Sequence, residues 1–308
     1  MNSKKVNWLF LTIILVHIGV VLGINLYSYF VTPLYLSIVP NLLLSQAMVF
    51  VPAFLFALFS KEKLNTVYGF HKIKISSVFM IILFTFLMTP MTAVINAISM
   101  LFVDNTVASM SSYIMEMPMI VMVLAMGVIG PISEEMVFRG VVFNGYKRSG
   151  NTVCAILFSA LLFGLMHMNF NQAAYAIFLG IVMAVVVEAT GSLWGSAIFH
   201  MTVNIQSIVV MYMSDAIYSD DVMQEAEVMT NETEYMLAVI GVYAVVAMVT
   251  TAIAVCVLAW VAKNEKRDMH LRQIWAERKE KRGTMASIPL IIGIVLSVAY
   301  MILDVILL

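Results

Sequence analysis

The chain is dominated by long apolar runs that are separated by short polar connections. A bilayer hydrocarbon core is about 30 Å thick, so one helical crossing takes about 20 apolar residues. The pattern predicts nine transmembrane helices, at about 7–30, 38–60, 76–102, 118–146, 152–169, 171–190, 192–213, 235–262 and 285–308. The first run lacks a small-x-small cleavage site, so we predict a retained helix and not a signal peptide.

The composition agrees with a membrane protein. Of the 308 residues, 62% are hydrophobic and 11% are charged, and the mean hydropathy is +0.97. These values exclude a disordered chain, a fibrous protein and a disulfide scaffold. The predicted fold class is therefore all-α, a polytopic transmembrane helical bundle of about nine spans, or eight.

The basic residues lie on one side of this predicted bundle. With nine spans, all 17 Lys and Arg residues fall on the side of the N-terminus. By the positive-inside rule, the N-terminus and the connections 61–75, 147–151 and 263–283 are predicted to be cytoplasmic. The acidic connection 214–234 is predicted to face outside. Because topology accounts for the basic residues, we expect the lipid bilayer as a partner and no nucleic acid.

The chain divides into three regions around its polar motifs. Residues 1–114 hold the first transmembrane helices, and residues 115–210 hold all the candidate catalytic side chains. Residues 211–308 comprise an outer acidic loop, two further transmembrane helices and a basic cytoplasmic connector. Eight basic and four acidic residues in the connector 263–283 predict an interfacial helix beside anionic headgroups.

The fourth span contains ionisable residues, which are costly inside a membrane and therefore need a reason. Glu135 and Arg139 are spaced i, i+4, so a helix places them on one face as an acidic-first ion pair. Glu134 is rotated by about 100° from Glu135 and has no local cationic partner. A carboxylate in such a place can act as a general base. Pro131 can open the helix just before the two glutamates.

Two later spans carry the remaining polar side chains. His167 ends the fifth span, and His200 and Asn204 share one face of the seventh at i, i+4 spacing. An imidazole and an amide on one face can together bind a substrate oxygen. Each element also has a structural explanation, either as an ion pair or as hydrogen bonds between membrane helices. Their combination in neighbouring spans favours chemistry.

The three motifs together resemble a known family. Glu-Glu-x-x-x-Arg at 134–139, Phe-x-x-x-His at 163–167 and His-x-x-x-Asn at 200–204 are similar to the motifs of the CAAX protease and bacteriocin-processing family of intramembrane endopeptidases. The resemblance covers about residues 115–210. It implies hydrolysis of peptide bonds in membrane-associated peptides or proteins, with bacteriocin processing or self-immunity as a common role of bacterial members.

The resemblance also implies roles for six side chains. Glu134 would activate the hydrolytic water, and His167 and His200 would line the same chamber. Asn204 would stabilise the oxyanion together with His200. Glu135 and Arg139 would support the site.

The cofactor is left open by the sequence. Glu134, His167 and His200 are a plausible zinc set with water as the fourth ligand. No firm metal site follows, because Glu134 cannot be both ligand and unhindered base. We therefore favour a metal-free glutamate mechanism.

Two other classes of function remain at this stage. A proton-coupled transporter would use the same carboxylates and histidines as a relay, although no internal repeat is visible. A non-catalytic immunity or scaffold protein would keep them as a packed polar core. An endopeptidase in a bacterial plasma membrane is the leading hypothesis.

Overall fold

A computed structural model describes residues 2–60, 62–218, 233–280 and 283–307. These residues form helices and contain no strand. The helices are α1 (Ser3–Phe30), α2 (Ile38–Leu58), α3 (Leu64–Tyr68), α4 (Ile75–Met100), α5 (Thr106–Ser109), α6 (Ser111–Met115), α7 (Met119–Lys147), α8 (Thr152–Met166), α9 (Phe170–Thr190), α10 (Leu193–Ile217), α11 (Thr233–Asn264), α12 (Asp268–Ala276) and α13 (Ile288–Leu307). The predicted fold class is confirmed, and the protein is a multi-pass membrane protein.

Eight of the described helices are long and apolar enough to cross a membrane. The predicted span 152–169 is the shorter helix α8, which has 15 residues. Asn151, just before α8, donates to the carbonyl of Arg278, 3.1 Å away, in the basic connector. Asn169, just after α8, donates to Thr106 Oγ1 beyond the far end of α4. Helix α8 therefore runs from one end of the bundle towards the other despite its length.

Three helices at or beside the predicted site begin with side-chain caps. Asn151 accepts from Cys154 N at 2.8 Å, Asn169 accepts from Gln172 N at 2.9 Å, and Ser192 accepts from Trp194 N at 3.2 Å. Such caps satisfy N–H groups that have no partner within a helix. They define where α8, α9 and α10 start and so fix the connections between them to a few residues.

Most of the connections with basic residues meet at one end of the bundle. Ser3 N donates to Ser149 Oγ at 2.8 Å, and Ser3 Oγ donates to the carbonyl of Thr284 at 3.2 Å. Lys74 donates to the carbonyl of Asn264. The one-sided arrangement expected from the sequence is thus present. Arg139 is an exception, because it lies inside α7 and is fully buried.

We expect this basic end to face the cytoplasm, because basic connections are retained on that side. In a chain with Cys154 and Cys256 replaced by Ala, Gln273→Cys should be protected from a membrane-impermeant thiol reagent added outside cells. Tyr218→Cys, at the opposite end of α10 from the basic connections, should react. Labelling of position 273 but not of position 218 would show the opposite orientation.

The basic connector forms a short helix, as predicted. Helix α12 exposes Met269 and Trp275, and it is tied to the bundle through Glu188 near the end of α9. His270 Nε2 lies 2.6 Å from Glu188 Oε2, and Lys147 donates to the other carboxylate oxygen. Glu188 is 1% exposed, so it is a buried ion-pair centre and not the interfacial carboxylate that its position near a span end suggests. Residues 281 and 282 of the connector lie outside the described residues.

The ends of the predicted outer connection 214–234 belong to α10 and α11. Its central part, residues 219–232, lies outside the described residues.

Candidate active site

Helix α7 changes its winding on both sides of the two glutamates. Residues Val123–Ile129 and Met136–Phe143 are π-helical, and Gly130–Glu135 between them is α-helical. Pro131 has no N–H to donate and its ring would crowd the preceding turn of an α-helix, so the wider turn before it accommodates the ring. π-Helical turns are rare in proteins as a whole, but those that occur are often at functional sites. The opening expected at Pro131 is thus a change of winding within a continuous helix.

Glu135 and Arg139 form the predicted ion pair. Arg139 Nη1 lies 2.8 Å from Glu135 Oε1, and both side chains are fully buried. Arg139 Nη2 also donates to the carbonyl of Gly180 at 3.2 Å, and the guanidinium lies 4.4 Å from the centroid of the Phe163 ring. The arginine therefore connects α7 to both α8 and α9.

Gly180 permits this connection because helices α8 and α9 pack closely there. A Cβ atom at Gly180 would stand 2.9 Å from Ala160 Cα, which is closer than Cβ atoms approach other atoms in proteins. The absent side chain lets the backbone of α9 lie against α8. Its carbonyl is then within reach of Arg139.

His200 joins the two glutamates. Its Nδ1 lies 3.0 Å from Glu135 Oε1, and its Nε2 lies 3.8 Å from Glu134 Oε2. A carboxylate paired with arginine is an acceptor, so Nδ1 carries the proton in the neutral ring. Nε2 is then the nitrogen that faces Glu134. The side chains of His200 and Glu134 are 7% and 12% exposed, so the pair is nearly enclosed.

Glu134 has a second partner that the sequence did not reveal. Gln46 on α2 donates from Nε2 to Glu134 Oε1 at 2.7 Å. The other end of the same amide, Oε1, accepts from the Ser133 hydroxyl at 2.7 Å. A glutamine within the apolar run 38–60 was the available signal, because an amide inside a membrane needs a hydrogen-bond partner.

His167, at the end of α8, lies against Phe163. Its Nδ1 donates to the carbonyl of Phe163 at 2.8 Å, which leaves Nε2 as the free ring nitrogen of the neutral form. The Phe163 ring makes edge contacts with His167 at 5.0 Å and with His200 at 5.8 Å between centroids. The aromatic residue of the second motif therefore packs against both histidines and restricts their orientation.

Asn204 is held by the π-helical part of α7. Its Nδ2 donates to the carbonyl of Met126 at 2.9 Å. One further N–H of this amide remains for another acceptor. The structure thus joins α10 to α7 twice, through His200 and through Asn204.

Glu134, His167 and His200 are the side chains that the sequence suggested as zinc ligands. Within the described parts of the chain, no group of three or more His, Cys, Asp and Glu side chains is arranged to hold a metal ion. Glu134 and His200 are close enough to share an ion, but Glu135 is held by Arg139. The residues as arranged do not provide the three protein ligands of a catalytic zinc site.

Comparisons with known proteins cover this part of the chain. Residues 116–206 match the family model described as Type II CAAX prenyl endopeptidase Rce1-like. The protein named "Putative membrane peptidase YdiL" of Bacillus subtilis (strain 168) is 26% identical over 92 residues, which make up 30% of this chain and 37% of that protein. The chain thus matches little more than a third of this relative's length. No solved structure matches it significantly.

The matched segment contains the side chains of all three motifs. The resemblance to the CAAX protease and bacteriocin-processing family is therefore confirmed for residues 116–206, a CAAX protease-like segment within a multi-pass membrane protein.

Proposed function

We propose that this protein is an intramembrane endopeptidase that hydrolyses peptide bonds of membrane-associated peptides or proteins with a water molecule activated by Glu134. The observation that carries the proposal is the arrangement of Glu134. One carboxylate oxygen is hydrogen-bonded to Gln46, and the other faces His200 Nε2 at 3.8 Å. A water molecule beside this second oxygen would contact both a base and an imidazole.

In the proposed reaction, Glu134 Oε2 takes a proton from the water as its oxygen attacks the carbonyl carbon of the substrate. The carbonyl oxygen becomes an oxyanion, which the free N–H of Asn204 can stabilise. His200 can donate to the same oxyanion when Nε2 is protonated, and Glu135 beside Nδ1 then balances the positive charge. As the C–N bond breaks, Glu134 returns its proton to the leaving amine.

Glu135 and Arg139 support this chemistry without contacting the substrate. Arg139 compensates the charge of Glu135, and Glu135 holds the His200 ring through Nδ1. A fixed ring orientation keeps Nε2 directed at Glu134, and such preorganisation contributes to catalysis. His167 would contribute the second imidazole of the site.

The depth of the site favours a substrate that enters the bilayer. Glu134 lies 13 residues before Lys147, the last residue of α7 at the basic end. At 1.5 Å per residue for α-helical turns, and less for the wider π-helical ones, this is about 15–20 Å along the helix, inside the hydrocarbon core. Processing of peptide bacteriocins, or immunity to them, is the biological setting that we propose.

The test is a comparison of new protein termini in a membrane proteome. Purified wild-type protein and the Glu134→Ala variant are incubated with membranes, and the N-termini that they generate are sequenced. We expect termini within or beside apolar segments that appear only with the wild type. Equal sets of termini from both proteins would contradict a glutamate-dependent protease.

We further propose that catalysis does not need zinc. With Glu134 as base, a three-ligand site would require Glu135 to leave Arg139, and this would strand a buried guanidinium. Chelator-treated protein should therefore keep its activity with far less than one zinc per chain by elemental analysis. Near one zinc per chain, with activity lost on its removal and restored on its return, would support the metal mechanism instead.

A further inference from the structure

Gln46 comes from outside the three motifs and outside the matched residues 116–206, yet it contacts the proposed base directly. We propose that Gln46 is a positioning residue, which holds Glu134 Oε1 and so leaves Oε2 as the oxygen that takes the proton from water. This inference rests on the proposed function of Glu134.

The first step of the argument is the direction of the amide. An ionised carboxylate only accepts hydrogen bonds, so the Gln46 NH₂ group must face Glu134. The carbonyl end then accepts from Ser133 Oγ at 2.7 Å, and this hydroxyl shares its single proton with the carbonyl of Gly130 at 2.8 Å. Both ends of the amide are thus engaged by consecutive residues of α7, and this fixes its orientation.

The second step is the close packing of α2 against this turn of α7. A Cβ atom at Gly130 would stand 3.4 Å from Gln46 Nε2, so the amide lies directly on the turn that contains Pro131. A long side chain held at both ends and against a backbone loses its freedom to move away. Glu134 is held in turn through its 2.7 Å hydrogen bond to this amide.

The third step is the consequence for the reaction. A hydrogen bond to a charged carboxylate favours its charged form and is about twice as strong as a neutral one. Since Gln46 occupies Oε1, the remaining oxygen is directed at His200 Nε2. Gln46 therefore favours the ionised base and selects which of its oxygens acts.

The alternative is that Gln46 only joins α2 to α7, as polar side chains between membrane helices do. Measurements of activity and of folding on two variants distinguish these roles. Gln46→Leu removes the hydrogen bonds, and Ser45→Ala is the matched control. Ser45 is the neighbouring residue, and its hydroxyl donates to the carbonyl of Leu42 in its own helix.

We expect Gln46→Leu to lower kcat by about 10- to 100-fold, the effect of losing one charge-assisted hydrogen bond. KM and thermal stability in detergent should stay within about threefold and a few degrees of the Ser45→Ala values. An unchanged kcat, or a variant that instead fails to accumulate, would mean that Gln46 joins helices and does not position the base.

Gln46→Glu gives a pH signature that a purely structural role would not produce. The new carboxyl group can donate to Glu134 only when it is protonated. The ratio of the variant's activity to that of wild type should therefore rise as the pH falls. Wild type and variant share the other groups that face Glu134, namely His200 and, through longer-range interactions, His167, Arg139 and Tyr175. A ratio that does not change with pH would contradict the proposal.

A measurement without substrate separates this inference from the proposed function. Dicyclohexylcarbodiimide modifies protonated carboxyl groups in membranes, and peptide mapping by mass spectrometry locates the product. At neutral pH we expect Glu134 to be modified several-fold faster in Gln46→Leu than in wild type or Ser45→Ala. Equal rates would overturn the role of Gln46 even if the wild type cleaves peptides. Faster modification without any cleavage would contradict only the proposed function.

Discussion

Glu134→Gln is expected to lower the rate of peptide cleavage by about 10²- to 10⁴-fold while the protein still inserts and folds. The amide has nearly the shape of the carboxylate, and its oxygen can still accept from Gln46. It cannot accept a proton from water at neutral pH. The loss should therefore appear in kcat, measured on a peptide identified by terminal sequencing, with KM nearly unchanged.

The control for this variant is Glu116→Gln. Glu116 is an exposed carboxylate before α7 and outside the candidate active site, so its neutralisation should leave cleavage within about twofold of wild type. A Glu134→Gln protein that cleaves normally would show that another group activates the water. A Glu134→Gln protein that fails to accumulate would assign a structural role to this glutamate.

Arg139→Ala is expected to destabilise the fold by about 3–5 kcal/mol, the cost of leaving one partner of a buried ion pair without the other. Glu135 would lose its cationic partner at a position with no exposure to solvent. The substitution also removes the hydrogen bond to Gly180 and the contact with Phe163. Size-exclusion chromatography and thermal unfolding in detergent should show less folded protein and a lower Tm.

Arg148→Ala is the matched control for this effect. Arg148 also pairs with a glutamate, Glu62, but its side chain is 40% exposed at the basic end of the bundle. Exposed ion pairs contribute about 0–1 kcal/mol, so this variant should accumulate nearly as well as wild type. If Arg139→Ala is as stable as Arg148→Ala, the buried pair does not support the fold as we propose.

The local features of this protein could be predicted from the sequence. Each span depends on a continuous apolar run, and the length that crosses a bilayer is the same for any helix. The Glu135–Arg139 pair follows from i, i+4 spacing because both residues belong to one helix. The basic residues predicted one end of the bundle, because the side on which a residue lies depends on the number of spans that precede it. That number can be read without knowledge of the packing.

The predictions were less complete where helix length and winding depend on neighbours. The sequence predicts an ordinary span at 152–169, but helix α8 has only 15 residues. The apolar pattern does not show this difference, because the caps of α8 and its packing on α9 decide where it begins and ends. The π-helical turns of α7 leave no trace in the hydrophobic pattern. Their hydrogen bonds differ from those of an α-helix by one residue, and tertiary packing decides between them.

Contacts between helices were decided by the tertiary structure alone. Gln46 and Glu134 are 88 positions apart, and His200 and Glu135 are 65 apart. Glu188 lies near the end of α9, but it is buried between Lys147 and His270. The sequence by itself determined which helices form and which charges share a face, because these depend on spacing within one helix. Only the packing of separate helices decided which side chain holds the proposed base, because positions along the chain carry no direct record of distances across the bundle.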